Sequence, residues 1–254
     1  MTSTPRRLGV LAIILITGVL SGCVFQTSKP ESEPRNPSVL KSYLWSAELR
    51  VESSLFDQAN APDALKNAPF VLKVNVTGER VAPDRERAQA VVSPASIEPR
   101  ETVTIGMQRW NRIGDGPWRL GGEPFPAARA YLGGTFDLST RAILEPRESA
   151  LILQLREEFA SMPYHDEVMP TGAARRYRLG QDHVALVVED PDLNPLPVLR
   201  TLPTVRTDFW IDQERQALLG VRIGADSATQ VNVCALEMHL TAIEPAGLTM
   251  EPPR

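Results

Sequence analysis

Two segments of this chain alternate apolar and polar residues so regularly that they constrain its fold more than any other feature. In the first, the apolar positions are Tyr43, Trp45, Ala47, Leu49 and Val51. The polar positions between them are Ser46, Glu48, Arg50 and Glu52. Residues 70–77 repeat the pattern, with Phe70, Leu72, Val74 and Val76 on one side. Because side chains of a strand point alternately to opposite faces, both segments are predicted to be strands with one dry face.

More strand-like segments follow along the chain. They lie at residues 87–92, 102–112, 118–120, 174–179, 184–188, 205–212, 217–223 and 231–243. Between two of them, Gly114-Asp115-Gly116-Pro117 is typical of a tight turn and predicts a hairpin. A series of short strands joined by such turns is typical of an antiparallel sheet.

One amphipathic helix is predicted in the middle of the chain. It begins at Pro146, which suits a first helical position, and ends at Pro163. Its apolar residues recur at spacings of three and four, and they are Leu151, Ile152, Leu155, Phe159 and Met162. A second, shorter helical turn is predicted at Asn194-Pro195.

These elements predict an α+β fold, an antiparallel sheet covered by one long helix and a short one. Each strand has one apolar face, which the protein must hide from water. One long helix is too small to cover a broad sheet, so either the sheet closes on itself or a cavity remains.

The first residues of the chain look like the signal of a bacterial lipoprotein. Arg6 and Arg7 precede the apolar residues 8–20, and Ser21-Gly22-Cys23 follows, which resembles a lipobox. A helix of residues 8–20 would be about 20 Å long, whereas a bilayer core is about 30 Å thick. The alternatives are an apolar N-terminal helix with an incidental cysteine and, from the two arginines, twin-arginine export.

The lipobox predicts how the chain is divided. Residues 1–22 would be removed as a signal peptide, and Cys23 would carry the lipid. Residues 23–41 are polar and rich in proline, which is typical of a flexible tether. We expect one folded domain at residues 42–246 and a tail at residues 247–254.

Composition excludes some partners and cysteine chemistry. Without residues 1–22, which contain only Arg6 and Arg7 as charged residues, 25 basic side chains face 31 acidic ones. This mild acidity gives no reason to expect nucleic-acid binding. Cys234 has no partner for a disulfide once Cys23 is acylated, and we expect it to be a small buried apolar residue.

Other candidate sites have simpler explanations. His165, His183 and His239 are far apart in sequence, and none has a metal-binding spacing. We therefore expect no metal, and His165-Asp166-Glu167 is interpreted as a solvated loop. The basic cluster Arg175-Arg176-Arg178 could contact anionic head groups, but a polar strand face explains it as well. Trp110, Trp118 and Trp210 form either an exposed aromatic rim or a cover for the sheet.

The order of the elements resembles the LolA/LolB and LppX/LprG group of lipoprotein and lipid carriers. Four features carry the resemblance: the lipobox with its polar tether, the early strand at residues 45–51, the hairpin with Trp110 and Trp118, and a strand-turn-strand at residues 208–218. In the last of these, the first strand ends in Trp210-Ile211-Asp212 before a tight turn. The resemblance spans residues 42–243.

The resemblance implies that the sheet is a strongly curved antiparallel half-barrel closed by helices, with an apolar cavity for acyl chains inside it. Its lining would be Tyr43, Trp45, Leu49, Phe70, Leu72, Val74, Val76, Leu151, Leu155 and Phe159. The alternative is that these residues form an ordinary packed core.

The expected function is a membrane-anchored, non-enzymatic protein that carries a lipid or other amphiphile without a cofactor. Its partners would be that ligand, the membrane through acylated Cys23, and a protein of the cell envelope. It would lie on the outer face of the cytoplasmic membrane, or on the outer membrane where the cell has one. The rival hypotheses are a scaffold lipoprotein with a packed core and a hydrolase.

Overall fold

A computed structural model of the chain describes residues 40–55, 69–93, 97–122, 138–145, 161–179 and 197–253. The strands are β1 Ser42–Glu52, β2 Val71–Val81, β3 Arg85–Ser93, β4 Ile97–Ile105, β5 Gln108–Ile113, β6 Arg119–Leu120, β7 Tyr164–Met169, β8 Gly172–Arg178, β9 Thr204–Asp212, β10 Leu218–Asp226 and β11 Cys234–Ile243. Two short 3-10 helices lie at Ser53–Leu55 and Pro197–Thr201. Residues 140–145 are α-helical.

All eleven strands form a single antiparallel sheet with the order β6-β5-β4-β3-β2-β1-β11-β10-β9-β8-β7. Strands β1 to β6 pair with their neighbours in sequence, and so do strands β7 to β11. The two series join where β1 pairs with β11, with Leu49 opposite Leu236. The first and last strands of the domain therefore lie side by side near the middle of the sheet.

The predicted fold class is wrong. The sheet is open and not closed into a barrel, because its two edge strands, β6 and β7, do not pair with each other. The described part of the chain contains no long helix, so the structure is a nearly all-β sheet and not an α+β half-barrel. Residues 146–160, which make up most of the predicted long helix, lie outside the described residues, and residues 161–163 at its predicted end are described and are not helical. The short helix was predicted at Asn194, and the structure has a 3-10 helix at Pro197–Thr201.

The alternation of apolar residues in β1 and β2 is confirmed. Every second residue of β1 from Tyr43 to Val51 is buried, as are Leu72, Val74 and Val76 in β2. Residues from β9, β10 and β11 continue the same core, among them Phe209, Val221 and Leu236. Apolar burial on this one face is the main favourable contribution to folding.

Cys234 at the start of β11 belongs to this core. It is fully buried, as the sequence predicted, and it is a free cysteine. Burial raises the pKa of its thiol to about 12, so the thiolate that would be needed for reactivity is disfavoured.

No helix among the described residues combines the length and apolar character that crossing a bilayer requires. Residues 1–39, which hold the predicted signal peptide and most of the predicted tether, lie outside the described part of the chain. The first described residue, Leu40, is buried and packs with the core just before β1.

Candidate functional site

The cavity-lining residues predicted on β1 and β2 lie together on the apolar face of the sheet. They form rows across the strands because the pairing places Trp45 opposite Gly78, Leu49 opposite Val74, and Val51 opposite Leu72. Tyr43, Trp45, Leu49, Leu72, Val74 and Val76 are all at most 3% exposed. Phe70 precedes β2 and is partly buried against the same core. In this structure these side chains are covered by the chain itself and belong to its hydrophobic core.

The large Trp45 side chain fits on the apolar face because the residues across the sheet from it are small. The next residue across the sheet is Gly78, and Ala88 follows on β3. A Cβ atom on Gly78 would lie 2.3 Å from Cε2 of the indole, so the ring covers the bare glycine backbone. The indole Nε1 is buried and has no hydrogen-bond partner among the residues that the structure describes. Gly78 is therefore required by close packing.

A buried polar cluster interrupts the apolar face at one end of β1, β2 and β3. We call Tyr43, Arg80, Glu86, Thr140 and Glu145 the polar latch. The pairing places Tyr43 opposite Arg80, and Arg80 opposite Glu86. Residues 140–145 lie over this row, where the Thr140 backbone N donates to Glu86 Oε1 at 2.8 Å. The latch thus fastens the helical segment to the sheet.

Two hydrogen bonds and an ion pair join the side chains of the polar latch. Tyr43 Oη donates to Thr140 Oγ1 at 3.2 Å, and Thr140 Oγ1 donates to Glu86 Oε1 at 3.0 Å. Arg80 Nη2 forms an ion pair with Glu145 Oε1 at 2.7 Å. Burial raises the pKa of Tyr43 above its ordinary range, so the phenol stays protonated and keeps its donor.

Local sequence explains why the helical segment starts at residue 140. Ser139 acts as the N-cap, because the backbone N of Ala142 donates to Ser139 Oγ at 3.2 Å. Leu138, Ile143 and Leu144 then pack into the core of the sheet. Leu199 of the 3-10 helix Pro197–Thr201 packs into the same core. These two segments are the described cover of the apolar face.

The opposite, polar face carries an ion-pair network around Asp208 of β9. Asp208 is 4% exposed and accepts hydrogen bonds from Arg178 Nε at 2.7 Å and from Arg176 Nη2 at 2.9 Å. Burial alone would raise the pKa of Asp208, but the two guanidinium groups outweigh it and lower the pKa. Arg176 also pairs with Glu167 of β7 at 3.0 Å. The network therefore ties the edge strand β7 to β8 and β9.

Two aromatic rings extend this network toward the centre of the sheet. Trp210 Nε1 donates to Glu167 Oε2 at 2.6 Å, and this bond is the main reason that the pKa of Glu167 is lowered. The Trp210 and His239 rings form a T-shaped pair whose centroids lie 4.6 Å apart. Gly220, which pairs with both residues, leaves the space for this contact.

Comparison with known proteins finds little that resembles this chain. No protein-family model and no curated protein matches it. Among solved structures it is similar to a domain from Vibrio parahaemolyticus described as an outer membrane lipoprotein-sorting protein domain. The identity is 10%, the match covers 82% of this chain and 87% of that one, and the TM-score is 0.22. At that score the likeness carries no argument about family or function.

The remaining candidates are placed as follows. Arg176 and Arg178 are held by Asp208, so the basic cluster is part of an ion-pair network. Trp210 is buried in the sheet, whereas Trp118 is half-buried, with the Arg112 guanidinium 4.7 Å from the centre of its ring. Leu151, Leu155, Phe159 and His183 lie outside the described residues. Among the described residues, no group of His, Cys, Asp and Glu is arranged to hold a metal ion.

The interpretation of His165-Asp166-Glu167 as a loop is wrong. These residues lie in β7, where Glu167 pairs with Ala174 of β8. The sequence signal was present but short, since Tyr164 and Val168 are the apolar residues that bound a polar run. The polar latch was missed as well. Ser139 before Thr140 is an N-cap signal that could have located its helical segment.

Proposed function

We propose that the chain is a membrane-anchored lipoprotein that binds a lipid or other amphiphile against the apolar face of its sheet, and that it acts as a carrier and not as an enzyme. The observation that supports this proposal is the continuous apolar face across β1–β3 and β9–β11. The described cover packs Ile143, Leu144 and Leu199 into this core and is also held at one end by the polar latch. For a ligand to reach the apolar face, this cover must separate from it.

Transfer of an acyl chain to such a face is nearly balanced in energy. Burial of each methylene from water contributes about 0.8 kcal/mol, but a bilayer offers the chain an equally apolar environment. A carrier of this kind therefore exchanges its ligand with a membrane. The lipidated Cys23 would keep the domain near that membrane, in the cell envelope, where a protein partner could take over the ligand.

The second candidate function is a scaffold lipoprotein with a packed core. The burial of Tyr43, Trp45 and Leu49 by the chain itself favours it. In this case the polar face or the edge strands would bind a protein of the envelope. The two candidates differ in whether the apolar face can admit a ligand.

Substitution of Val74 by tryptophan separates the two functions. Val74 is 1% exposed, and its neighbours across β2 are Leu49 and Val92. In a carrier, the indole takes the place of the ligand, so binding of a fluorescent fatty-acyl probe falls while the melting temperature stays nearly unchanged. In a packed core, the larger side chain lowers the free energy of unfolding by about 1–3 kcal/mol.

The measurements are probe fluorescence and thermal unfolding of the full chain. A wild-type protein that never binds the probe, together with a Val74→Trp variant that is clearly destabilised, would refute the carrier and leave the scaffold. The control is Val91→Trp on the other face of β3, where Val91 is 47% exposed and the larger side chain projects into solvent.

Substitution of Cys23 by serine tests the anchor. The hydroxyl of serine cannot form the thioether that lipidation needs, so we expect an uncleaved precursor without lipid. Metabolic labelling with palmitate and gel mobility measure the outcome in cells. Cys234→Ser is the matched control and should keep the label, because Cys234 is buried in the core. Equal label in Cys23→Ser and wild type would exclude the lipoprotein hypothesis.

A further inference from the structure

A groove of about 470 Å³ lies on the polar face of the sheet, opposite the proposed lipid-binding surface. It runs over four neighbouring strands, β2, β1, β11 and β10, and its polar side chains come from all four. Its volume is within the range of about 300–1,000 Å³ that small-molecule sites occupy.

The groove exists because small residues replace side chains on its floor. Ala235 of β11 lines it and pairs with Gly224 of β10. Gly220, four residues before Gly224 on the same face, lies beside the His239 ring, which fills the space of the missing side chain. Larger side chains stand around this floor, with Arg222 between the two glycines and Arg50 on the other side of Ala235. The depression is thus encoded in the sequence of β10 and β11.

Glu48 is the charged residue of the groove whose carboxylate has no oppositely charged partner among the described residues. The pairing places it opposite Glu237 on one side and Asn75 on the other. Two carboxylates directly opposite each other on neighbouring strands repel. Glu237 is compensated, since it contacts His239 Nε2 at 2.7 Å and Arg222 Nε at 3.5 Å. Among the described residues, Glu48 has no hydrogen-bond or ion-pair partner.

The other charges of the groove already have partners. Arg50 pairs with Glu52 at 2.6 Å, and Arg222 pairs with Glu237. An anionic ligand would therefore approach Glu48 and Glu237 without finding a free cation. In a zwitterionic ligand, the positive group could pair with Glu48, but the negative group would find no free cation. A cation would pair with the Glu48 carboxylate but would leave the hydroxyl and amide groups of the groove without a partner.

The uncharged polar residues of the groove can both donate and accept hydrogen bonds. They are Ser46 and Thr77, which carry hydroxyls, and Asn75, which carries an amide. A neutral ligand with hydroxyl and amide groups matches them, and one of its hydroxyls can donate to the Glu48 carboxylate in a charge-assisted bond. We propose that this groove binds a glycan, a neutral sugar chain that carries hydroxyl and acetamido groups. The proposal is independent of lipid binding on the other face.

The test is calorimetric titration of the full chain, in detergent, with the tetramer of N-acetylglucosamine. We expect binding with a Kd of about 1 mM or below. Glu48→Gln should weaken it about tenfold, because the charge of the acceptor is lost while its shape is kept. The same variant should melt at an equal or slightly higher temperature, since the repulsion from Glu237 is removed.

The matched control is Glu214→Gln, an exposed glutamate in the turn between β9 and β10, which should bind the tetramer as wild type does. Three results would overturn the proposal: no binding of the tetramer by wild type, equal binding by Glu48→Gln and wild type, or displacement of the tetramer by millimolar ethanolamine, which would identify Glu48 as a site for amines. A lower melting temperature for Glu48→Gln would assign Glu48 a structural role and would also contradict it.

Discussion

Replacement of Gly78 by alanine is expected to lower the free energy of unfolding by about 3 kcal/mol, near the upper end of what overpacking costs. The added Cβ would lie 2.3, 2.4 and 2.6 Å from Cε2, Cζ2 and Nε1 of Trp45. Trp45 is 1% exposed, so its ring has no free space into which it can turn. The backbone or the neighbouring core must therefore shift.

Urea denaturation, with the midpoint and the slope compared to wild type, measures this loss. The matched control is Gly224→Ala in β10, where the nearest atom to the new Cβ is Asn232 Oδ1 at 3.7 Å, an ordinary contact. We expect that variant to lie within about 0.5 kcal/mol of wild type. Equal midpoints for Gly78→Ala and Gly224→Ala would show that the Trp45 ring does not pack on Gly78 as described.

Replacement of Asp208 by asparagine is expected to lower the free energy of unfolding by about 2 kcal/mol at neutral pH. Hydrogen bonds to charged groups contribute about 1.5–3 kcal/mol each. The bond from Arg178 contributes less than that from Arg176, because the Arg178 side chain is largely exposed to water. Asparagine keeps the shape of the side chain but leaves Arg176 and Arg178 without the buried carboxylate. Asp115→Asn in the exposed turn between β5 and β6 is the control and should have no effect.

The effect of Asp208→Asn should depend on pH in one direction. The pKa of Asp208 is lowered in the folded protein, so its carboxylate stabilises the fold above the pKa of the unfolded chain. That contribution is lost as the pH falls through the lowered pKa. The difference between wild type and Asp208→Asn should therefore be full at pH 7 and shrink below about pH 4. A difference that stays constant from pH 7 to pH 3 would contradict the role assigned to the ion pairs.

The sequence predicted the strands whose two faces differ strongly in polarity. The pattern in β1 located both its bounds and its buried face, because every second residue had to leave water. The segment 102–112 was predicted as one strand, but the turn at Gly106-Met107 divides it into β4 and β5. Gly106 adopts a φ of 58°, which favours glycine, and this was the local signal for the break.

Closure of the sheet could not be predicted in the same way. Alternation indicates which side of a strand is buried, but it does not show which strands lie at the edges. The half-barrel was inferred from the resemblance and from the shortage of helical cover, and the edge strands β6 and β7 do not meet. β7 itself was missed because His165, Asp166 and Glu167 are polar in succession and give no alternation.

The candidate sites depend on which residues of neighbouring strands pair with each other, and this register could not be predicted from the sequence pattern. Asp208 meets Arg176 and Arg178 because β8 and β9 pair with Tyr177 opposite Phe209. Much of the chain between these strands lies outside the described residues, and no short turn fixes their alignment. The polar groove likewise arises only when Ala235 lies beside Gly224.

The position of β1 beside β11 has a consequence for the order in which the sheet can assemble. Tyr43 pairs with Ile243, so this contact closes a loop of about 200 residues, whereas every other pairing in the sheet joins strands that follow each other along the chain. Contacts between distant residues form slowly, because the entropy of a long loop is lost before they contribute. During synthesis, β1 is an uncovered edge until the final strand emerges, and an uncovered edge can pair with other chains. The ten residues of β11 therefore protect the edge of β1. A chain truncated before β11 would leave two unconnected sheets, β1–β6 and β7–β10.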